Sequence, residues 1–152
     1  MNDTVTYFLE QQGFVIVSTL DAKGGIHCAA KGIVGIEKNG KVYLIDLYRS
    51  HTFNNLKRNS TISITAVDEH EFIGYTLKGK ARIIEREKIK GHIIESWEKR
   101  VIQRVSKRVI NDIKKEKMNP HHPEVSFPQP QYLIEVDVAE VIDLTPKHLK
   151  NK

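Results

Sequence analysis

Ser50, His51 and Thr52 stand where an apolar run of the chain gives way to a polar one, a place suited to holding an anion. Before them, residues 41–47 include Val42, Leu44, Ile45 and Leu47 and read as a buried strand. After them, residues 50–58 read as a short helix. A strand–turn–helix order brings side-chain donors, free backbone N–H groups and the positive end of a helix dipole to one point. Phosphate is the ligand that such a point suits best. Ser and Thr also serve as ordinary helix N-caps, whatever binds nearby. The local pattern leaves both readings open.

The chain as a whole narrows the choice. Its 152 residues are enough for one domain, 1–152, with a proper core and no need of disulfides or a structural metal. Apolar residues at 39% and charged residues at 28% fit a globular protein rather than a disordered or fibrous one. No apolar run approaches the roughly 18 residues that would span a bilayer, and the first ten residues lack the pattern of a signal peptide. One cysteine, Cys28, excludes an internal disulfide framework and points to a reducing, cytoplasmic home. It reads as a small buried strand residue.

A net charge of +5 and a pI near 9.3 raise an anionic cofactor or nucleic acid as partners. The basic residues of 88–117 are interleaved with Glu95, Glu98, Asp112 and Glu116, the pattern of a solvated helix face. Aromatics do not alternate with bases as a stacking platform needs, so nucleic acid is a minor option. His121 and His122 lie between prolines without companions at ligand spacing, and no metal site is expected.

The elements that must position the turn follow from periodicity. Residues 4–12 read as a helix with Val5, Phe8 and Leu9 on one face and Gly13 as its stop. Residues 14–20, 26–36 and 41–47 read as an antiparallel meander, with turns at 21–25 and at Asn39 and Gly40. Residues 61–67 alternate as a half-buried strand, and 72–85 form another, in which Gly79 marks a bulge or a close backbone approach.

From 86 to 117 the period becomes helical, with Ile89, Ile93, Trp97, Val101, Ile102 and Val105 on one stripe and Gly91 marking a break near the start. At 1.5 Å per residue the segment is about 45 Å long, wider than a small barrel, so part of its apolar face is expected against another subunit. Trp97 reads as core or interface. A proline-studded excursion covers 119–130, pinned by Phe127, and 132–144 is the last strand, with length enough for a bulge and ended by Pro146. The resulting fold is mainly β: a six-stranded antiparallel split barrel with a short helix after strand 3 and a long helix before the last strand.

In that order the chain resembles the FMN-binding split-barrel proteins, the family of pyridoxamine 5′-phosphate oxidase and the small FMN-binding flavoproteins. The resemblance covers about residues 8–85 and, more loosely, the last strand. Gly25, Ile26 and His27 resemble the family's Gly-x-Pro-His turn without its proline, and the strand through Cys28, Ala29, Ala30, Lys31 and Gly32 follows. Residues 50–59 resemble its Ser-Arg-Lys-x-x-x-(Asn or Gln)-Leu-x-x-Asn segment, and 74–81 its (Arg or Lys)-Gly-x-Ala strand.

The resemblance implies a homodimer with FMN bound at the interface. The flavin is laid on Ala29, Ala30, Lys31 and Gly32, where small side chains let backbone groups reach the ring edge. Asp46, Leu47 and Tyr48 come from the next strand, with Asp46 facing the ribityl hydroxyls or solvent. Arg49, Ser50, His51 and Thr52 lie at the phosphate, and Asn55 is either a ligand contact or an exposed helix amide.

His51 and Thr52 replace the family's Arg-Lys pair, although some small members carry Lys-Thr there, and Arg49 or Lys31 can restore positive charge. A histidine ordinarily titrates near 6.5, so FMN affinity is expected to fall as pH rises through that range. These residues bind rather than catalyse, and no general acid or base stands out. The basic constellation that vitamin B6 oxidation needs near the C-terminus is absent, which leaves a flavin-dependent oxidoreductase of unidentified substrate. The alternatives are a deazaflavin- or haem-binding protein on the same barrel, or a non-catalytic basic barrel that binds protein or nucleic acid.

Overall fold

A computed structural model describes residues 1–114 and 130–150, with residues 104–114 as backbone only. The elements in order are α1 (Asp3–Glu10), β1 (Val15–Leu20), β2 (Ile26–Ile36), β3 (Lys41–Asp46), α2 (His51–Arg58), β4 (Thr61–Asp68), β5 (Ile73–Glu85), α3 (Gly91–Lys114) and β6 (Tyr132–Asp143). Short 3-10 turns cover Arg86–Lys88 and Lys147–Leu149.

The six strands close into an antiparallel barrel in the order β1-β2-β3-β6-β5-β4, with β4 pairing back to β1. The β1–β2–β3 meander is as expected from the turns. Gly24 (φ 79°) and Gly40 (φ 89°) take the left-handed conformation that the two hairpins require. Closure comes from β6, which pairs with both β3 and β5.

Alternation along the strands sorts side chains into two layers. Val15, Val17, Ile33, Leu44, Ile62, Ile64, Leu77 and Ile134 fill the barrel, each at most 2% exposed. α1 lays Val5 and Leu9 on this core, and α2 adds Phe53 and Leu56. A second, smaller cluster lies outside the barrel, where Ile89 and Ile93 pack on Val34, Tyr43, Ile45 and Leu133. This is how α3 is fastened to the outer face of β2, β3 and β6.

Gly91 opens α3 after the 3-10 turn, the break its position suggested. Ile102 is 64% exposed and so stands off the buried stripe on which its spacing placed it. α1 ends at Glu10 with Gln11 as a right-handed C-cap, so Gly13 is not its stop. The excursion at 119–129, with His121, His122 and Phe127, lies outside the described residues, as do 115–117; Pro130 is buried.

Candidate functional site

β3 ends at Asp46 and α2 begins at His51, with the exposed Tyr48, Arg49 and Ser50 between them. Ser50 is the N-cap residue, but its hydroxyl makes no capping hydrogen bond, so the first-turn N–H groups keep their donors free of it. His51 is exposed, and its ring faces that of His27 on β2 at 5.0 Å between centroids. Thr52 is 3% exposed and points inward.

Asn55 is also buried, at 3%, which corrects the exposed-amide alternative. Its Nδ2 donates to Thr19 Oγ1 at 3.0 Å, and its Oδ1 accepts from Arg58 at 2.7 Å. The side chain thus pins α2 to β1.

Arg49 does not point freely into solvent. Its guanidinium donates to both carboxylate oxygens of Glu85, at 2.5 and 3.2 Å, and to the Gln131 carbonyl at 3.4 Å. The same group lies 4.9 Å from the Phe53 ring centroid and 5.9 Å from that of Tyr132. The hydrogen bond to Arg49 holds the Glu85 carboxyl below its usual range.

On β2 the register shows which way each residue faces. Lys31 and Ala29 stand opposite the buried Val15 and Val17, so they face inward; Ala30 stands opposite the part-exposed Ile16, so Ala30 and Gly32 face outward. Ala29 therefore shares the strand but not the outer surface. Cys28 also lies on the outer side and is exposed, with Sγ 3.3 Å from Ser18 Oγ, which corrects the expectation that it is buried.

Outside β2 and β3, a cleft of about 350 Å³ runs under α3. Ala30, Lys31, Gly32, Asp46, Leu47 and Tyr48 meet there, with Phe14, Trp97, Arg100 and Val101 completing the walls. Trp97 also packs on the outer cluster, in keeping with a core role. A β-carbon built on Gly32 would touch nothing within 4 Å, so backbone is open to a ligand there. Mostly apolar walls with a few polar groups, at a volume within the roughly 300–1,000 Å³ of small-molecule sites, suit a flat ring system.

At the floor of the cleft, Asp46 is only 4% exposed, which corrects the alternative that it faces solvent. Its Oδ2 takes the Lys31 ammonium at 2.6 Å and the Tyr132 hydroxyl in a short hydrogen bond. Burial and the carboxylate neighbour both raise the Tyr132 pKa, which keeps the phenol protonated and donating. Tyr132 and Glu85 escaped sequence reading, because only barrel closure brings β6 and the end of β5 beside β3. No local spacing signals them.

Among the described residues no group of three or more His, Cys, Asp or Glu side chains is placed to hold a metal. No helix there is long and apolar enough to cross a membrane.

Against known proteins, the family model for pyridoxamine 5′-phosphate oxidase matches residues 1–144. No curated protein matches the sequence. Among solved structures, HupZ of Group A Streptococcus is similar at 18% identity and TM-score 0.65, covering 95% of this chain and 95% of that one. A pyridoxamine 5′-phosphate oxidase-like protein from Lactobacillus delbrueckii matches at 16% identity and TM-score 0.60, over 93% of each chain. A pyridoxamine 5′-phosphate oxidase-related, FMN-binding protein from Nostoc punctiforme matches at 10% identity and TM-score 0.57, covering 93% and 82%. At these identities the likeness is one of fold.

Proposed function

Since the chain belongs to the pyridoxamine 5′-phosphate oxidase family, we propose that it is an FMN-binding flavoprotein, an oxidoreductase that works as a homodimer. The observation that carries this reading is the outer cleft. It joins the small-residue stretch of β2 to the end of β3, and Tyr48 on its rim lies three residues before His51, the start of α2. A flat ring laid on Ala30 and Gly32 would find exposed backbone at its edge. The phosphate would lie at the first turn of α2, among Ser50, His51 and Thr52.

Each chain residue has a task in this arrangement. Ala30 and Gly32 keep the floor low. Lys31 lies on the barrel side of this floor, where Asp46 holds its ammonium and Tyr132 fixes Asp46. Leu47 and Trp97 wall the cleft and exclude water. Asn55 acts on the site by anchoring α2, and Ala29 by packing β2 against β1. A bound flavin would supply the electron transfer, and the protein supplies position and electrostatics.

Dimerisation is supported by exposed apolar side chains: Phe14 at the cleft (62%), Ile16 paired with Ala30 of β2 (38%) and Ile102 on α3 (64%). A second copy seated there would cover them and close the side of the cleft that one chain leaves open.

Titrating the purified protein with FMN and with riboflavin tests the reading. FMN fluorescence should be quenched with a Kd at least about tenfold tighter than that for riboflavin, the scale of one charge-assisted phosphate contact. Absence of binding by either flavin would end the proposal. A deazaflavin or haem chromophore on the purified protein would redirect it.

A further inference from the structure

Arg49 is the only permanently charged cation in the turn that leads into α2, yet a carboxylate holds it. We infer that Glu85 sets the affinity of this turn for phosphate by competing with the ligand for Arg49. The inference rests on the proposed function, in which the phosphate lies at the start of α2.

The geometry supports an exchangeable rather than a permanent partnership. The two side chains are 41% and 44% exposed, so water reaches the pair, and ion pairs of that kind contribute little to stability. Arg49 leaves Ser50 only one residue away, and a guanidinium grips phosphate in the same two-pronged manner that it now grips Glu85. Its stacking on Phe53, the third residue of α2, keeps the group next to the helix's first turn in the present state.

Among the described residues, the other cations near the turn do not offer the same service, and Arg58 at the far end of α2 is held by Asn55. Lys57 also lies over the Phe53 ring, at 5.1 Å, but presents a point charge without the fork. Lys31 is committed to the buried Asp46 at 2.6 Å. His27 and His51 contribute charge only when protonated. A phosphate arriving at α2 must therefore draw Arg49 from Glu85 to gain a lasting positive partner, and the carboxylate's hold is subtracted from its affinity.

The test uses Glu85→Gln, Arg49→Gln and the double variant, with Kd values for FMN and riboflavin measured by fluorescence at one pH and salt concentration. Unfolding midpoints are measured alongside. Glu85→Gln should tighten FMN by about three- to fivefold, the worth of one released surface ion pair, and leave riboflavin unchanged. The gain should vanish when Arg49→Gln is added.

Unchanged or weaker FMN binding in Glu85→Gln, or equal tightening of riboflavin, would overturn the inference and make the pair a static clasp. Should Glu85→Gln lose stability, Glu85→Asp, with its shorter reach, is measured in its place with the same expectations. If the wild type binds neither flavin, the proposed function fails separately. Inorganic phosphate then serves as probe through the amide shifts of Thr52 and Phe53: tighter binding in Glu85→Gln upholds the Glu85 role, and no change refutes it.

Discussion

Asn55 on α2 and Thr19 on β1 meet through a buried hydrogen bond of 3.0 Å, and both residues are at most 3% exposed. That bond makes a family-like polar position into a structural pin. Replacing Asn55 by Ala strands the Thr19 hydroxyl and frees Arg58 from its 2.7 Å contact. We expect Asn55→Ala to lower unfolding stability by about 1–3 kcal/mol, the cost of a buried polar group left unpaired. Thr19→Val combined with Asn55→Leu should recover part of it. A urea midpoint unchanged in Asn55→Ala would refute the pin.

Gly79 tests the closure of the barrel. Between β5 and β6 the register shifts, with Lys78 opposite Glu140 and Gly79 opposite Val138, so that Ala139 is the extra residue. A β-carbon at position 79 would lie 2.0 Å from the Asp137 carbonyl oxygen, which is backbone and has nowhere to go. Gly79→Ala should therefore cost at least the upper part of the ~1–3 kcal/mol of ordinary overpacking. Gly32→Ala, with open space at its β-carbon, should fold normally. Thermal melts of the two variants give the comparison, and equal midpoints would contradict the register.

Glu135 gives the barrel an acid limit. It is 7% exposed on β6, and its Oε1 accepts from Lys41 at 2.9 Å and Arg82 at 2.7 Å. Burial pushes this carboxyl up, but the two cationic donors outweigh it and leave the pKa below its ordinary value. A depressed carboxylate contributes stability above its unfolded pKa, and that contribution is lost as pH falls through the folded one. Stability should thus decline from about pH 4.3 downward, and less steeply in Glu135→Gln. At neutral pH the Gln variant should be weaker by about 1–3 kcal/mol. Parallel curves for variant and wild type would remove Glu135 from the acid response.

Much of this architecture could be read from local pattern. The strand over Ile26–Ile36 is bounded by two glycine turns, and Ile62, Ile64 and Ala66 alternate with polar neighbours along β4, so period and punctuation agreed. The Gly91 break was visible because one residue type interrupts a helical stripe. Other features depend on pairing between distant segments. Asp46 reads as a polar end of a strand until β6 places Tyr132 opposite it and β2 supplies Lys31. Arg49 reads as a free cation until β5 ends at Glu85. Cys28 reads as buried because free cysteine is among the most buried residue types, yet strand parity puts it on the outer face beside Ser18. Sequence period reveals which residues alternate, but not what covers each face.

His27 and His51 make the last prediction, one of affinity against pH. Their rings stand 5.0 Å apart at the start of α2, each from a different element, so two protonated rings there repel unless an anion lies between them. An imidazole offers an anion positive charge only in its protonated form. The proposed phosphate site therefore gains charge as pH falls, and FMN should bind several-fold more tightly at pH 6 than at pH 8. Riboflavin, which lacks the anion, should show no such change. His51→Gln should flatten the FMN curve at the weaker level, and His27→Gln should flatten it in part. If the Kd for FMN is the same at both pH values in the wild type, neither imidazole touches the phosphate, and the α2 backbone with Arg49 must hold it alone.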